Sequence, residues 1–322
     1  MKNTLKSMVT KNLPLLNKIE YALLPISSKC DYDCIFCTSN YPGKPGKIKN
    51  NSLNSELFRI KGLLAIGRRL KLKKIFLSGD EPLAHPFIAQ ILNFSHKLGY
   101  EEVNLHTSGL KLGQKDTLDN ILRLPLKFNF YIPIYGADAR VHDRVVRKKG
   151  SFEALVSVLR ALNKIRELNI NLHSIVLKQN YCFLDDILGF CNYAFPRFFF
   201  DGFIHVKFHP FPKDINYKDL MVPYRNLFFK LKKSKEFLRG FPVCVLERFG
   251  KLNDASSELP FCIAFDKKVL NLDSYPNLYA KEVIIQNPPI DKCLDCKRRN
   301  SCIGPYKDYI DNFGVDDFTS IN

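Results

Sequence analysis

The stretch "CDYDCIFC", residues 30–37, decides the reading of this chain. Cys30, Cys34 and Cys37 fall within one short loop, and the next cysteine is Cys182. A structural zinc ion takes four protein ligands, and an ordinary iron–sulfur cluster takes four thiolates. Three thiolates alone leave one corner of such a site open. For zinc, the missing ligand would have to come from a distant residue, and His106 is the candidate the sequence offers.

The loop follows "YALLPI" (21–26), an apolar run read as a strand. A polar connection rich in Gly and Pro, "YPGKPGKIKNNS" (41–52), leads into a helix through "LNSELFRIKGLLAIGRRL" (53–70), with Leu57, Ile60, Leu63 and Leu64 on one face. "KIFL" (74–77) is the second strand and ends in "SGDEP" (78–82). A helix from Pro86 to Leu98 is stopped by Gly99 at the position after its last turn. Strands are then expected at 103–107, 128–134, 170–176 and 204–209. Helices are expected at 150–168, 183–195 and 224–233, with a short one after the third strand. Six strand–helix units in alternation predict parallel strands with helical crossovers, an α/β fold of the partial (β/α)6 TIM-like barrel kind. In such barrels the loops at the carboxyl ends of the strands share one face, where chemistry gathers. Both unusual loops, 27–37 and 78–82, fall there.

Beyond about residue 235 the pattern changes to short apolar runs. "CLDCKRRNSC" then places Cys293, Cys296 and Cys302 among Pro- and Gly-marked turns. The expected organisation is an N-terminal segment (1–19), a barrel (20–235) and a small Cys-rich unit (236–322) held together by metal. Its three cysteines need a fourth, and Cys244 and Cys262 are available; Cys244 is the preferred choice. Cys182 and Cys191 lie in or beside an amphipathic helix and read as small apolar residues.

Composition bounds the rest. The chain has 322 residues, 46% hydrophobic, enough for a buried core and against wholesale disorder. No apolar run approaches the ~20 residues of a membrane span, and the amino terminus lacks the apolar core of a secretory signal. The expected location is the cytoplasm, where ten cysteines read as metal or cluster ligands rather than disulfides. The net charge of +17 favours acidic partners, nucleic acid included, although the basic runs are scattered along the chain.

CxxxCxxC with Phe36 before its last cysteine, followed one strand later by "SGDEP", resembles the radical S-adenosylmethionine (radical SAM) superfamily. The resemblance runs from about residue 20 to 215. It takes in "LHTSGLKL" after the third strand and "HDRVVRKKGSFEALVSVLRAL" after the fourth. It implies that Cys30, Cys34 and Cys37 hold three irons of a [4Fe–4S] cluster, whose open iron chelates the amino and carboxylate groups of S-adenosylmethionine. An electron, from a flavodoxin- or ferredoxin-like donor, would then cleave a C–S bond and yield a 5′-deoxyadenosyl radical that abstracts hydrogen from the substrate. Residue by residue, Phe36 would lie against the adenine. Gly79, Asp80, Glu81 and Pro82 occupy the GGEP stretch that meets the methionine amino group, with Asp80 in place of the second glycine. Where many members have serine in "SLDG", this chain has Pro133 in "PIYG", and Tyr135 is either its polar replacement or a core residue. Ser174 and Lys178 are candidates for ribose and carboxylate contacts. His142–Asp143 reads as capping or positioning the helix ahead of "GSFE", and His106, His173, His205 and His209 as candidates for the mouth of the barrel.

The C-terminal cysteines resemble SPASM/Twitch-type extensions of that superfamily, which implies a second iron–sulfur cluster; a zinc knot on the same ligands is the alternative. The resemblance points to a peptide or protein substrate. RNA or a nucleotide-derived cofactor is the second reading, and an inactive cluster- or zinc-bearing binding protein the third.

Overall fold

Strand β1 (Tyr21–Ile26) alternates half-buried Tyr21, Leu23 and Pro25 with buried Ala22, Leu24 and Ile26. That alternation orients one face of the sheet toward helices and the other toward an open concavity. The structure is a computed structural model and describes residues 21–26, 30–37, 53–205, 216–248, 250, 269–271, 290–299, 302 and 304–321. The segment 1–19, the connection 41–52, His209 and Cys262 lie outside the described residues.

The other strands are β2 (Lys74–Gly79), β3 (Glu102–His106), β4 (Lys127–Pro133), β5 (Asn169–Ile175), β6 (Phe199–Ile204), β7 (Leu238–Arg239) and β8 (Val269–Asn271). All pair in parallel, in the order β7-β6-β5-β4-β3-β2-β1-β8. Neighbouring strands are therefore consecutive in sequence from β1 to β7, as in a barrel, but the sheet stays open. The helices are α1 (Leu53–Arg69), α2 (Ile88–Lys97), α3 (Lys115–Leu122), α4 (Ala139–Val146), α5 (Ser151–Leu162), α6 (Leu184–Ala194), α7 (Tyr217–Leu220), α8 (Tyr224–Phe228), α9 (Val243–Glu247), α10 (Asp291–Leu294) and α11 (Lys307–Phe313). Among the described residues no helix is long and apolar enough to cross a membrane.

Helix-facing strand residues such as Leu24, Ile75, Leu105, Phe130 and Leu172 form one continuous core with Ile60 and Leu64 of α1, Ile91 of α2, Leu155 and Leu159 of α5 and Ile187 of α6. Each such side chain contributes about 1.5–3 kcal/mol by leaving water. The concave face carries a separate small cluster of Leu23, Phe76, Tyr131 and Ile204. Beside it the amide of Asn129 donates to the side chain of Asn104 at 3.0 Å. A core on the outer face and polar groups on the inner face leave the concavity as the place for ligands.

Four expectations need correction. The sixth strand runs Phe199–Ile204, ahead of the expected 204–209, of which residues 206–209 lie outside the described residues. Its Gly202 has φ +155°, and a Cβ there would lie 2.6 Å from the Phe237 carbonyl oxygen, so the glycine admits a close neighbour inside a strand rather than marking a turn. Helix α5 ends at Leu162 instead of 168: the N–H groups of Asn163, Lys164 and Ile165 take the carbonyls of Leu159, Ala161 and Leu162, and Arg197 donates to the carbonyls of Asn163 and Ile165 just beyond the end. Helix α8 stops at Phe228. The sheet also has two strands more than six: β7 pairs with β6, and β8 pairs with the far edge at β1. Gly99 does end α2, with φ +84° and its N–H bonded to the His96 carbonyl.

The C-terminal part is fixed by an aromatic cluster. Tyr224 stacks on Tyr309 at 3.9 Å and 10°, and its hydroxyl lies 2.8 Å from Nε2 of His205. His205 in turn lies against Phe241 and Tyr306. Pairs of this kind add about 0.5–1.5 kcal/mol beyond their burial. His205 is therefore enclosed in packing and does not stand at the mouth.

Candidate functional site

The cysteine loop is built onto α4. The amides of Asp33 and Ile35 donate to the carbonyls of Val146 (3.1 Å) and Val145 (3.0 Å), the last residues of that helix. These bonds satisfy helix-end carbonyls and fix the loop together. Within the loop, Cys37 N–H donates to the Cys34 carbonyl at 2.9 Å, and Tyr32 N–H reaches Cys30 Sγ at 3.5 Å. The three thiols are half-buried. Burial pushes the Cys30 thiol up to about 11, helped by the charges of Glu81, Cys37 and Asp31 and opposed by the Tyr32 amide. Burial, with the charges of Cys37 and Cys30, holds Cys34 well above the ordinary range. The bare loop thus disfavours the thiolates it would need as ligands, and a cationic centre would reverse that balance.

Phe36 meets the edge of Tyr135 at 5.4 Å. Tyr135 is buried, and its amide donates to Nδ1 of His142 at 3.2 Å. Of the two roles the sequence left to Tyr135, packing behind Phe36 is the one found. Gly136 has no room for a side chain, since a Cβ would come within 2.7 Å of the His142 nitrogen. Asp143 accepts from Gly150 N–H (2.6 Å), Ser151 Oγ (2.6 Å) and Phe152 N–H (2.8 Å), which caps α5. Such a cap stabilises the helix by about 0.5–2 kcal/mol. The "HD…GSFE" pattern is thus a device that holds α4, and with it the cysteine loop, against α5.

The loop after β2 turns at Gly79, which has φ +115°. A Cβ at this position would come within 2.3 Å of the Ile26 carbonyl oxygen, so no other residue fits without a shift. Asp80 follows half-buried, then Glu81 and Pro82 are buried. Glu81 Oε1 accepts from Thr107 Oγ1 at 2.6 Å and from Leu83 N–H at 3.1 Å, and Oε2 accepts from Ser108 N–H at 2.7 Å. The carboxylate thereby ties the loops after β2 and β3 together. Thr107 and Ser108 stood in the quoted "LHTSG", but nothing in their spacing signalled this partner. Ile26 and Gly79 pair at the ends of β1 and β2, and Asp80 N–H donates to the Ile26 carbonyl at 3.3 Å, so the loops after the two strands leave the sheet side by side.

Below that mouth, His106 of β3 and His173 of β5 meet across β4, Nε2 to Nε2 at 3.2 Å. Ser174 is fully buried, 3.4 Å from the Asn180 amide that donates to it. Lys178 is exposed and donates to the Lys218 carbonyl.

Three buried imidazoles and the half-buried His106 share one consequence. Burial lowers His106 and His142 to about 4, His205 to about 3, and His173 well below its usual value. Each stays neutral in the fold and takes a proton in the unfolded chain below ~6.5. The unfolded state then binds more protons, so stability falls as pH drops through the window from ~6.5 to ~4, by about 1.4 kcal/mol per pH unit for each independent group. Urea unfolding between about pH 7 and pH 5 is expected to show a fall of several kcal/mol; a level profile would show that the imidazoles are charged in the fold.

The second cysteine group also assembles. Cys244 lies in α9, Cys293 in α10, and Cys302 Sγ accepts from Val243 N–H (3.2 Å) and Gly304 N–H (3.3 Å). Burial raises the Cys244 thiol, followed among the raising influences by the charges of Cys302, Cys293 and Cys296. The Val243 bond brings Cys302 beside α9, and Cys296 N–H donates to the Cys293 carbonyl at 3.4 Å. Cys191 is buried and pushed up to about 12 by burial, and Cys182 is exposed. Among the described residues, no three His, Cys, Asp or Glu side chains are drawn together tightly enough to enclose a single metal ion. In donor chemistry, with half-buried sulfur, N–H···S bonds and like charges in need of a cation, both groups fit an iron–sulfur centre.

Residues 24–190 match the family model described as Radical SAM superfamily. Among solved structures, Streptococcus suis SuiB bound to S-adenosylmethionine aligns at 14% identity and a TM-score of 0.45, covering 70% of this chain and 47% of that one. Native anSMEcpe with bound AdoMet aligns at 12% identity and 0.47, covering 65% and 58%. The FeFe-hydrogenase maturase HydG from Carboxydothermus hydrogenoformans aligns at 11% and 0.43, covering 75% and 55%. The chain spans about half the length of the structures it matches.

Proposed function

Because the chain belongs to the radical SAM superfamily, we propose that it reductively cleaves S-adenosylmethionine on a [4Fe–4S] cluster held by Cys30, Cys34 and Cys37. When bound, cluster and cofactor together supply a 5′-deoxyadenosyl radical for hydrogen abstraction. The observation that carries the reading is the departure of the three-cysteine loop and the Glu81 loop from the paired ends of β1 and β2, at one end of an open parallel sheet. Phe36, braced by Tyr135, is assigned to the adenine. Gly79, Asp80, Glu81 and Pro82 form the rim for the methionine amino group, and Ser174 is assigned to the ribose side. The concave face, with His106, His173 and Asn129, receives the substrate and keeps water from it.

In the same reading residues 20–235 supply this site, and residues 236–322 hold a SPASM/Twitch-like second cluster on Cys244, Cys293, Cys296 and Cys302. The substrate is a peptide or protein, as the resemblance of that extension suggests, in a reducing cytoplasm. Modification of RNA is the second reading, favoured by the +17 charge. If RNA is the substrate, binding to bulk tRNA is tight at low salt and falls steeply as salt rises; a weak, level response leaves the charge without that role.

The test of the main reading is anaerobic reconstitution with iron and sulfide, followed by S-adenosylmethionine and dithionite. Reductant-dependent 5′-deoxyadenosine is expected, and none in a fully loaded protein would overturn the reading. Glu81 adds a second measurement. In Glu81→Gln one amide hydrogen would face Ser108 N–H or Leu83 N–H, so a buried donor loses its acceptor at about 1–3 kcal/mol. Lower urea resistance and a ten- to hundredfold weaker affinity for S-adenosylmethionine are expected, at about unchanged iron content. Unchanged affinity would move the amino-group contact to another residue.

A further inference from the structure

The cysteine loop has an outer side as well as a mouth, and that side is strongly cationic. Arg144, Arg147, Lys148 and Lys149 are all exposed and occupy the end of α4 and the turn beyond it. The carbonyls of Val145 and Val146, inside this run, are the ones that hold the amides of Ile35 and Asp33. Lys148 Nζ donates to the Asp31 carbonyl at 3.0 Å, and Arg147 stands 3.8 Å from Asp33. The patch therefore touches the backbone of the loop that carries Cys30, Cys34 and Cys37. Asp143, the acidic residue within the run, turns its carboxylate to Gly150, Ser151 and Phe152 instead. Arg147, at φ +53°, is the left-handed cap that ends α4, with its N–H on the Asp143 carbonyl.

Resting on the function proposed above, we infer that the Arg144–Lys149 surface is the docking site for a small acidic one-electron carrier protein, which delivers its electron through the back of the cysteine loop. The carrier loses one electron and the centre held by the loop gains it. Electron-transfer encounters are small and weak, so charge complementarity rather than buried area brings the partners together. The mouth must stay open for cofactor and substrate, so a carrier seated on the α4 side approaches the cluster without competing with them. A nucleic acid on this patch would instead be expected to bind irrespective of any reductant.

The experiment compares the reconstituted holoenzyme with its Arg144→Glu/Lys149→Glu variant, two positions that make none of the loop-tethering bonds described. Each is driven once by reduced flavodoxin, an acidic carrier, and once by dithionite, with 5′-deoxyadenosine as the readout. The inference requires that the flavodoxin-driven rate fall by about tenfold or more in the variant. The dithionite-driven rate stays at the parental level. For the parental enzyme the flavodoxin-driven rate must also drop steeply from ~0.05 to ~0.5 M salt. Equal flavodoxin-driven rates in the two proteins overturn the inference and leave the proposed activity standing. Loss of tRNA binding with carrier-driven reduction intact overturns it too, and assigns the patch to nucleic acid. Should the variant fail to fold, the parental salt dependence decides, a level response being contradictory. No dithionite-driven product from the parental protein is a different failure, that of the proposed function itself.

Discussion

Cys34→Ala is expected to lower reductive formation of 5′-deoxyadenosine below detection, and Cys30→Ala and Cys37→Ala to do the same. Cys34 is the informative position. Its contribution to the loop's internal turn is its carbonyl, which accepts from Cys37 N–H, and alanine keeps that bond. The tether to α4 runs through the amides of Asp33 and Ile35, which the substitution also spares. What is removed is a sulfur, so loss of activity reports a lost ligand rather than an unfolded loop. With three ligands to a cluster whose fourth iron is left for the cofactor, no thiolate is spare. A Cys34→Ala protein that cleaves the cofactor at the parental rate would show that the assignment is wrong.

The second large effect concerns the C-terminal cysteines. In the triple variant with Cys30, Cys34 and Cys37 replaced by alanine, about four irons and a brown chromophore are expected to remain. Stoichiometric zinc without colour would replace the second cluster by a zinc knot. On that background Cys244→Ala should lose the metal and Cys262→Ala should keep it. The choice follows the resemblance: Val243, beside Cys244, donates its amide to Cys302 Sγ, and Cys262 lies outside the described residues. The reverse outcome would exchange the two cysteines.

Strands β1 to β5 were legible because each carries its own signal, an apolar run that ends at a turn before an amphipathic helix. Strand β6 was not. The reason for Gly202 is the backbone of Phe237, a neighbour that no local pattern announces. The same holds for β7 and β8, which are two and three residues long and exist by pairing with strands already in place. At the site, the spacing set the three cysteines apart and the resemblance gave them a role, while "HD…GSFE" pointed to a helix cap, which Asp143 provides at α5. The grip of Thr107 and Ser108 on Glu81 spans 26 and 27 residues, and the His106–His173 contact spans 67. Such contacts follow from which strands become neighbours, not from the letters around them.

The central claim is that three thiolates of the 30–37 loop leave one iron open to the cofactor, and isotope labelling addresses it directly. Reduced, reconstituted protein mixed with S-adenosylmethionine carrying nitrogen-15 in its amino group is predicted to show a nitrogen hyperfine coupling to the cluster's electron spin. A tightly bound labelled cofactor with no such coupling would contradict the claim.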